Sequence, residues 1–282
     1  MTSSISRVGI VVKEQLTGSA DVVSALRAWL GERKVEAIDE RQLSRDEIPN
    51  AVDMVVVLGG DGTLLSMADR IGHAGRDIPI LGVNFGSLGF LTEVRVNELY
   101  SSLETVLNGT ARYDERLMVR AEAIRAGEPV DHRIVLNDVV FTKAALSRMI
   151  ELSVTVDGGT VTLIKADGLI VASPTGSTAY NLAAGGPIVH PAVGALVLTP
   201  IAPHTLTQRP IVIPASSVVE VQPHLQTDAD DIFVTYDGQT GYPLHPGDVV
   251  RIGRAAQTLR LVKAPARSYF EVLREKLKWG ER

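Results

Sequence analysis

Residues 54–58 read Met-Val-Val-Val-Leu, and the next five read Gly-Gly-Asp-Gly-Thr. A run with no polar position fits neither a half-exposed strand nor an amphipathic helix. It fits a short strand covered on both faces, as in a parallel sheet. The glycines mark an abrupt turn, and helical spacing resumes from about Thr63 to Ile71. Val8–Val12 and Ile80–Asn84 are further apolar strands, and Val35–Ile38 is a short one. Between them, Val22, Val23, Leu26, Trp29 and Leu30 recur at helical spacing within Asp21–Arg33. Val96, Leu99, Leu103, Val106 and Leu107 do the same, and Asn108-Gly109 supplies the stop. Alternating strands and helices predict a parallel sheet with helices on both faces.

The pattern changes from about Tyr113. Short β-rich runs follow one another, among them Leu117–Ile124, Ile134–Thr142, Met149–Val156, Leu169–Ala172, Ile232–Tyr236, Val249–Ile252 and Leu259–Val262. Turn signals such as Asp157-Gly158-Gly159 and Pro246-Gly247-Asp248 separate them, which predicts a second, mostly β domain. Tyr269 to Trp279 returns to helical spacing. With 282 residues there is room for two such domains.

Composition narrows the function. A net charge of −5 argues against a nucleic-acid partner. The absence of cysteine excludes disulfides, thiolate metal sites and cysteine nucleophiles. The six histidines show no metal-ligand spacing. The apolar run Ala192–Ala202 is too short to span a bilayer and contains Pro200. The N-terminus lacks the basic start and apolar stretch of a signal peptide. The expected location is cytoplasmic, with no membrane partner.

Three clusters carry the chemistry. Gly59-Gly60-Asp61-Gly62-Thr63 follows the strongest strand and opens a helix. Glycines there let the backbone approach a diphosphate, and the helix start attracts anions. A carboxylate in such a loop repels phosphate unless it has a task. Asp61 either holds a divalent cation or takes a proton from an attacking hydroxyl. As structure alone, the cluster is a tight turn with Asp61 or Thr63 as the helix cap. No Gly-x-x-x-x-Gly-Lys-Ser/Thr loop is present. Asn137-Asp138 interrupts an otherwise apolar strand, so the pair serves either a ligand or a turn. A carboxylate can accept both hydroxyls of a ribose. The stretch Asp167–Pro191 ends a strand in small hydroxyl-bearing residues, Thr175, Ser177 and Thr178, beside Tyr180. Small neighbours admit a flat ring, and a tyrosine can stack on it.

Together the clusters resemble the NAD kinase family, and the likeness covers nearly the whole chain. It extends to Ala202-Pro203-His204, Asp237-Gly238-Gln239 and Tyr269–Arg274. The first cluster alone is shared with lipid kinases and phosphofructokinases; the third is specific. The resemblance implies an α/β N-terminal domain with a Rossmann-like parallel sheet at 1–115 and a β-rich NAD-binding domain at 116–266. Helix 267–282 would pack back on the first domain, with the active site in the crevice between the two. It implies transfer of the terminal phosphate of ATP, or of polyphosphate, to the 2′-hydroxyl of NAD's adenosine ribose, giving NADP.

The resemblance also assigns residues. Asp61 would be the general base. Gly59, Gly60, Gly62 and Thr63 would cradle diphosphate, with Mg²⁺ or another divalent cation offsetting charge through the donor phosphates. Asn137 and Asp138 would hold the adenosine, although many relatives carry Asn-Glu here. Thr175 and Thr178 would meet the adenine edge. Asp167, Ala179, Tyr180 and Ala183 would form a nicotinamide-side pocket, with Asn181 in the same motif. Arg148, Lys165, Ala202 and Gln239 match further lining positions. The family implies a homodimer or homotetramer with a subunit-shared site. Two alternatives stand: a non-catalytic dinucleotide sensor, which predicts loss of Asp61, and a lipid or sugar kinase, which does not need the third cluster.

Overall fold

A computed structural model describes residues 5–86, 88–143, 149–225, 232–264 and 267–279. The chain divides into two compact units, Met1–Glu115 with Leu259–Arg282, and Arg116–Thr258.

The first unit opens with strand β1 (Arg7–Val12), helix α1 (Ser19–Glu32) and strand β2 (Glu36–Asp39). One turn of helix, α2 (Ile48–Ala51), leads to β3 (Met54–Leu58), α3 (Asp61–His73) and β4 (Ile80–Asn84). A short β5 (Val94–Arg95) and helix α4 (Leu99–Leu107) follow. The strands are parallel in the order β2-β1-β3-β4. The winding therefore reverses between β1 and β3, the position where open α/β sheets bind ligands. Val12 pairs with Leu58, and Leu58 with Val83, so all three strands end on one edge. Every residue of β3 is buried, as its apolar run requires. Leu26 and Leu30 of α1 and Leu99 and Leu103 of α4 pack in one cluster with Ile10, Val56 and Val83. Each fully buried aliphatic side chain of this kind contributes about 1.5–3 kcal/mol.

The second unit takes up most of β6 (Tyr113–Arg125) and continues through β7 (Glu128–Val135), β8 (Asp138–Lys143), β9 (Ile150–Val156), β10 (Gly159–Ala166) and β11 (Gly168–Ala172). A single helical turn, α5 (Tyr180–Ala183), precedes β12 (Ala195–Ile201), β13 (Ile211–Pro214), β14 (Val219–Pro223), β15 (Ile232–Tyr236), β16 (Thr240–Leu244) and β17 (Val249–Val262). One antiparallel sheet runs β13-β12-β11-β8-β15-β16. In the other, β10, β9, β14 and β17 lie side by side, and β6 joins β17 to β7. Phe141, Val171, Leu198 and Val234 from the first sheet pack in one core with Val119, Leu152, Val221 and Val250 from the second.

Several boundaries differ from the sequence pattern. The run Ile134–Thr142 is two strands, because the chain bends at Leu136 and Asn137. The runs Val249–Ile252 and Leu259–Val262 are one strand, bridged by small and polar residues around the buried Ala255. The apolar run Ala192–Ala202 holds the buried strand β12.

The chain returns to the first unit at Leu259, ahead of residue 267, because Leu261 pairs with Ile80 of β4. Helix α6 (Tyr269–Leu277) starts with a capping box: the Ser268 hydroxyl accepts the Glu271 N–H, and the Glu271 carboxylate accepts the Ser268 N–H. Arg267 donates to the Glu93 carbonyl, and Lys276 lies 5.8 Å from the ring centre of Phe90. No helix among the described residues is long and apolar enough to cross a membrane.

Candidate active site

The turn from β3 to α3 is built tightly on one side and open on the other. The Gly59 N–H donates to the Val83 carbonyl at 2.9 Å, and the Lys13 N–H to the Leu58 carbonyl at 2.9 Å. A side chain at Gly59 would begin 2.9 Å from Lys13 Cβ and 3.0 Å from Thr63 Oγ1, so packing excludes one. Gly60 is the extended N-cap of α3 and offers no side-chain cap. Neither Asp61 nor Thr63 is that cap; Asp61 is the first helical residue. A side chain at Gly60 or Gly62 would meet nothing within 4 Å. The Thr63 N–H turns back to the Gly60 carbonyl at 3.1 Å, and the backbone ahead of it at Gly60 and Gly62 is unobstructed.

The Asp61 carboxylate is firmly held. Oδ2 accepts the Phe90 N–H at 2.8 Å. Oδ1 accepts the Leu91 N–H at 3.2 Å, the Thr92 N–H at 3.0 Å and the Thr92 hydroxyl at 2.9 Å. Thr92 is fully buried and its hydroxyl also accepts from Asn84 Nδ2 at 3.1 Å. Asn84 Oδ1 in turn accepts the Gly86 N–H at 2.6 Å. Asn84, at the end of β4, thus orients Thr92, which orients Asp61. A side chain at Gly89 would collide with both Asp61 Oδ1 and Thr92 Oγ1. Asn84, Gly89, Phe90 and Thr92 were not singled out from the sequence. The only local signal was the glycine and asparagine content of 84–89.

In the second unit, Asn137-Asp138 forms the bend between β7 and β8. The bend is fixed by Asp237, whose carboxylate accepts the N–H groups of Leu136 at 2.8 Å, Asn137 at 2.7 Å and Asp138 at 3.0 Å. The Ser173 hydroxyl donates to the Leu136 carbonyl at 2.5 Å, and the Ser173 N–H to the Asn137 carbonyl at 2.8 Å. Gly176 packs so closely on the Asn137 backbone that a side chain would overlap it. The Asn137-Asp138 bend and the 173–178 turn are therefore one piece. Asp138 is only 4% exposed. Burial, with the Asp237 charge beside it, pushes its carboxyl up to about 7.

The 173–187 turn is held from within. The Ser177 hydroxyl donates to the Pro174 carbonyl at 2.6 Å and accepts the Val189 N–H at 3.0 Å. Asn181 is buried; its amide donates to the Ser177 and Pro187 carbonyls and accepts from the Thr199 hydroxyl at 2.6 Å. Asn181 therefore supports the turn from below. Thr175 is buried, with Arg116 Nη1 3.5 Å from its hydroxyl. Thr178 and Ala179 are half-buried, whereas Tyr180 and Ala183 are exposed.

The remaining residues fall elsewhere on this unit. Asp167, between β10 and β11, pairs with Lys143 at 2.7 Å. Lys165 on β10 is paired with Glu151, so its charge is offset. Ala202 takes a left-handed backbone with φ 44, uncommon for a residue with a side chain. Gln239 is exposed in the β15–β16 turn. Arg148 lies outside the described residues.

A glycine turn that opens a helix at a sheet's switch point, with a carboxylate held beside it, is the arrangement used by phosphoryl-transfer enzymes of the α/β class. Comparison with known proteins narrows the class. Residues 6–111 match the ATP-NAD kinase N-terminal domain and residues 136–264 the ATP-NAD kinase C-terminal domain. The chain is 48% identical to the NAD kinase of Geobacter sulfurreducens over 288 residues, covering 99% of this chain and all of that one. It is 46% identical to the NAD kinase of Geotalea daltonii over 288 residues, again with 99% and 100% coverage. An NAD kinase from Archaeoglobus fulgidus, solved in complex with ATP, superposes with a TM-score of 0.79 at 27% identity, over 95% of this chain and 99% of its own. Yeast NADH kinase shares the fold, with a TM-score of 0.89 at 23% identity over 99% and 89% of the two chains. The chain belongs to the NAD kinase family.

Proposed function

We propose that the protein transfers the terminal phosphate of ATP to the 2′-hydroxyl of the adenosine ribose of NAD, giving NADP and ADP. The observation that carries the reading is the Asp61 carboxylate, held by donors from Phe90, Leu91 and Thr92 at the start of α3. An acid in a phosphate loop needs a task, and a proton acceptor for the attacking hydroxyl is one. The hydroxyl proton passes to Asp61 as its oxygen bonds to phosphorus, and the bond to the bridging oxygen breaks to release ADP.

Gly60 and Gly62 lack any neighbour that would exclude a side chain, so closeness to phosphate is the reason they are glycines. Mg²⁺ or another divalent cation enters with the donor as its phosphate complex. Asp138 accepts the ribose hydroxyls, and Asn137, Thr175 and Thr178 hold the adenosine. Tyr180, exposed at the start of α5, stacks on the nicotinamide side with Ala179, Ala183 and Asp167. Lys165, Ala202 and Gln239 line the site more remotely. Archaeoglobus fulgidus NAD kinase has been crystallised with ATP, which supports ATP as donor here. Polyphosphate as a second donor, a cytoplasmic location and a homodimeric or homotetrameric assembly complete the proposal. Light scattering on the purified protein measures the assembly.

The direct test is NADP formation from NAD and MgATP, read with a dehydrogenase that ignores NAD. NADP that appears only when both substrates are present supports the reading. Binding of NAD without turnover, with either donor, would return the protein to the sensor class.

A further inference from the structure

The donor's nucleoside end needs a seat apart from NAD's own adenosine. A pocket of about 470 Å³ lies in the first unit where the carboxyl ends of β1 and β2 meet the first turns of α1. This volume falls within the range of small-molecule sites. Val12 and Val23 give it apolar lining. Ala20 and Ser24, one helical turn apart and both exposed, stand at its mouth.

The polar wall is built around Asp39, which is 4% exposed. Its carboxylate accepts from Arg27 at 2.7 Å and from Arg41 Nη2 at 2.6 Å, and also takes the Arg41 backbone N–H at 3.1 Å. Asp39 is thereby neutralised inside the wall. The neighbouring Glu40 is likewise engaged, by Arg45 and by the Val12 N–H. The pocket thus carries apolar surface and guanidinium groups without strong net charge. That chemistry suits a flat, uncharged heteroaromatic base with its ribose better than a phosphate chain.

Its position points the same way. Val12 pairs with Leu58, the last residue of β3, and Lys13 touches the place where a Gly59 side chain would be. A ligand on Val12 is therefore one residue from the glycine turn. We propose that this pocket seats the nucleoside of the nucleoside triphosphate donor, with the triphosphate passing Lys13 and Gly59 to reach Gly60-Asp61-Gly62. The proposal rests on the kinase reading and adds to it the donor's binding residues. A polyphosphate donor has no nucleoside and would not use the pocket.

Ser24→Trp and Ala20→Trp each place a large ring in the mouth from an exposed helix position. Ala25→Trp carries the same bulk on α1 outside the pocket and is the control. Steady-state KM for ATP and the NAD dissociation constant are measured for each, with thermal melting as a check on folding. The KM for ATP should rise at least tenfold in the two pocket variants, with NAD affinity unchanged and the control close to wild type. A KM for ATP within twofold of wild type in both pocket variants would overturn the proposal, as would an equal loss of NAD affinity. If the wild-type protein makes no NADP, the kinase reading fails separately. Calorimetric ATP titration of wild type and Ser24→Trp then decides the pocket, and equal affinities overturn it.

Discussion

Asp237 accepts the backbone N–H of Asp138 at 3.0 Å, and the Asp237 N–H returns to the Asp138 carbonyl at 3.0 Å. Two acids are thus locked together where a ribose is proposed to bind. Burial, followed by the Asp237 charge, raises Asp138 from its ordinary 3.8 to about 7. A raised carboxyl stabilises the fold fully below its unfolded value, and that contribution is lost as pH rises through about 7. Ribose hydroxyls donate to the ionised form, so NAD binding should release a proton. NAD affinity is expected to improve roughly tenfold from pH 6 to pH 8 if only the ionised form binds. Calorimetry in buffers of different ionisation enthalpy measures both effects. Affinity that is flat across this range would separate Asp138 from the ribose.

Gly89 sits where a side chain would strike Asp61 and Thr92. Gly89→Ala should displace the loop that holds the Asp61 carboxylate and cost about 1–3 kcal/mol of stability through overpacking. Turnover should fall further than NAD affinity. Denaturant melts and kinetics on the same preparation check this, and wild-type values in both would show that the loop tolerates the methyl group.

Tyr180 is 45% exposed. A core role is thereby removed from consideration, and Tyr180→Ala should leave stability within about 0.5 kcal/mol. Loss of a stacking ring should weaken NAD binding by ~0.5–1.5 kcal/mol. An unchanged NAD dissociation constant would mean the ring faces solvent in the complex as well.

Arg125 grips the fully buried Asp248 with two bonds of 2.8 Å. Burial alone would raise the Asp248 carboxyl, but the Arg125 bonds and the His245 N–H hold it below its ordinary value. Arg125→Ala should lower stability, because it leaves the buried Asp248 carboxylate without its guanidinium partner, with turnover intact. A depressed carboxyl gives stability above its unfolded value and loses it as pH falls through the folded one. The gap between wild type and variant should therefore narrow in acid. A gap that is constant with pH would assign the loss to packing.

The reading from sequence succeeded where the signal is local. Strand β3 is an unbroken apolar run, and the glycines behind it mark the turn, so both were legible. The grip on Asp61 was not, because Phe90, Leu91 and Thr92 lie 29 to 31 positions away in a loop without periodicity. Asp237 reads as an ordinary Asp-Gly turn, yet its carboxylate closes a bend 99 to 101 positions earlier. Its left-handed φ of 51 fits the turn, and nothing in the pattern distinguishes the second task. Strand β16 escaped because Pro243 and Gly241 mask an edge strand. The resemblance carries Asn181 as part of the 173–181 motif, and its amide bonds to Ser177, Pro187 and Thr199 within that turn, a support that the motif does not reveal.

The central claim is that Asp61 acts on the proton and does not merely shape the loop. The measurement is kcat for NADP formation in Asp61→Asn beside its NAD dissociation constant. Asparagine keeps the size but sets an amide against backbone donors, so a modest loss of stability is expected. In Asp61→Asn, kcat should fall by ~10²–10⁴ with NAD affinity near wild type. A kcat within a few fold of wild type would contradict it.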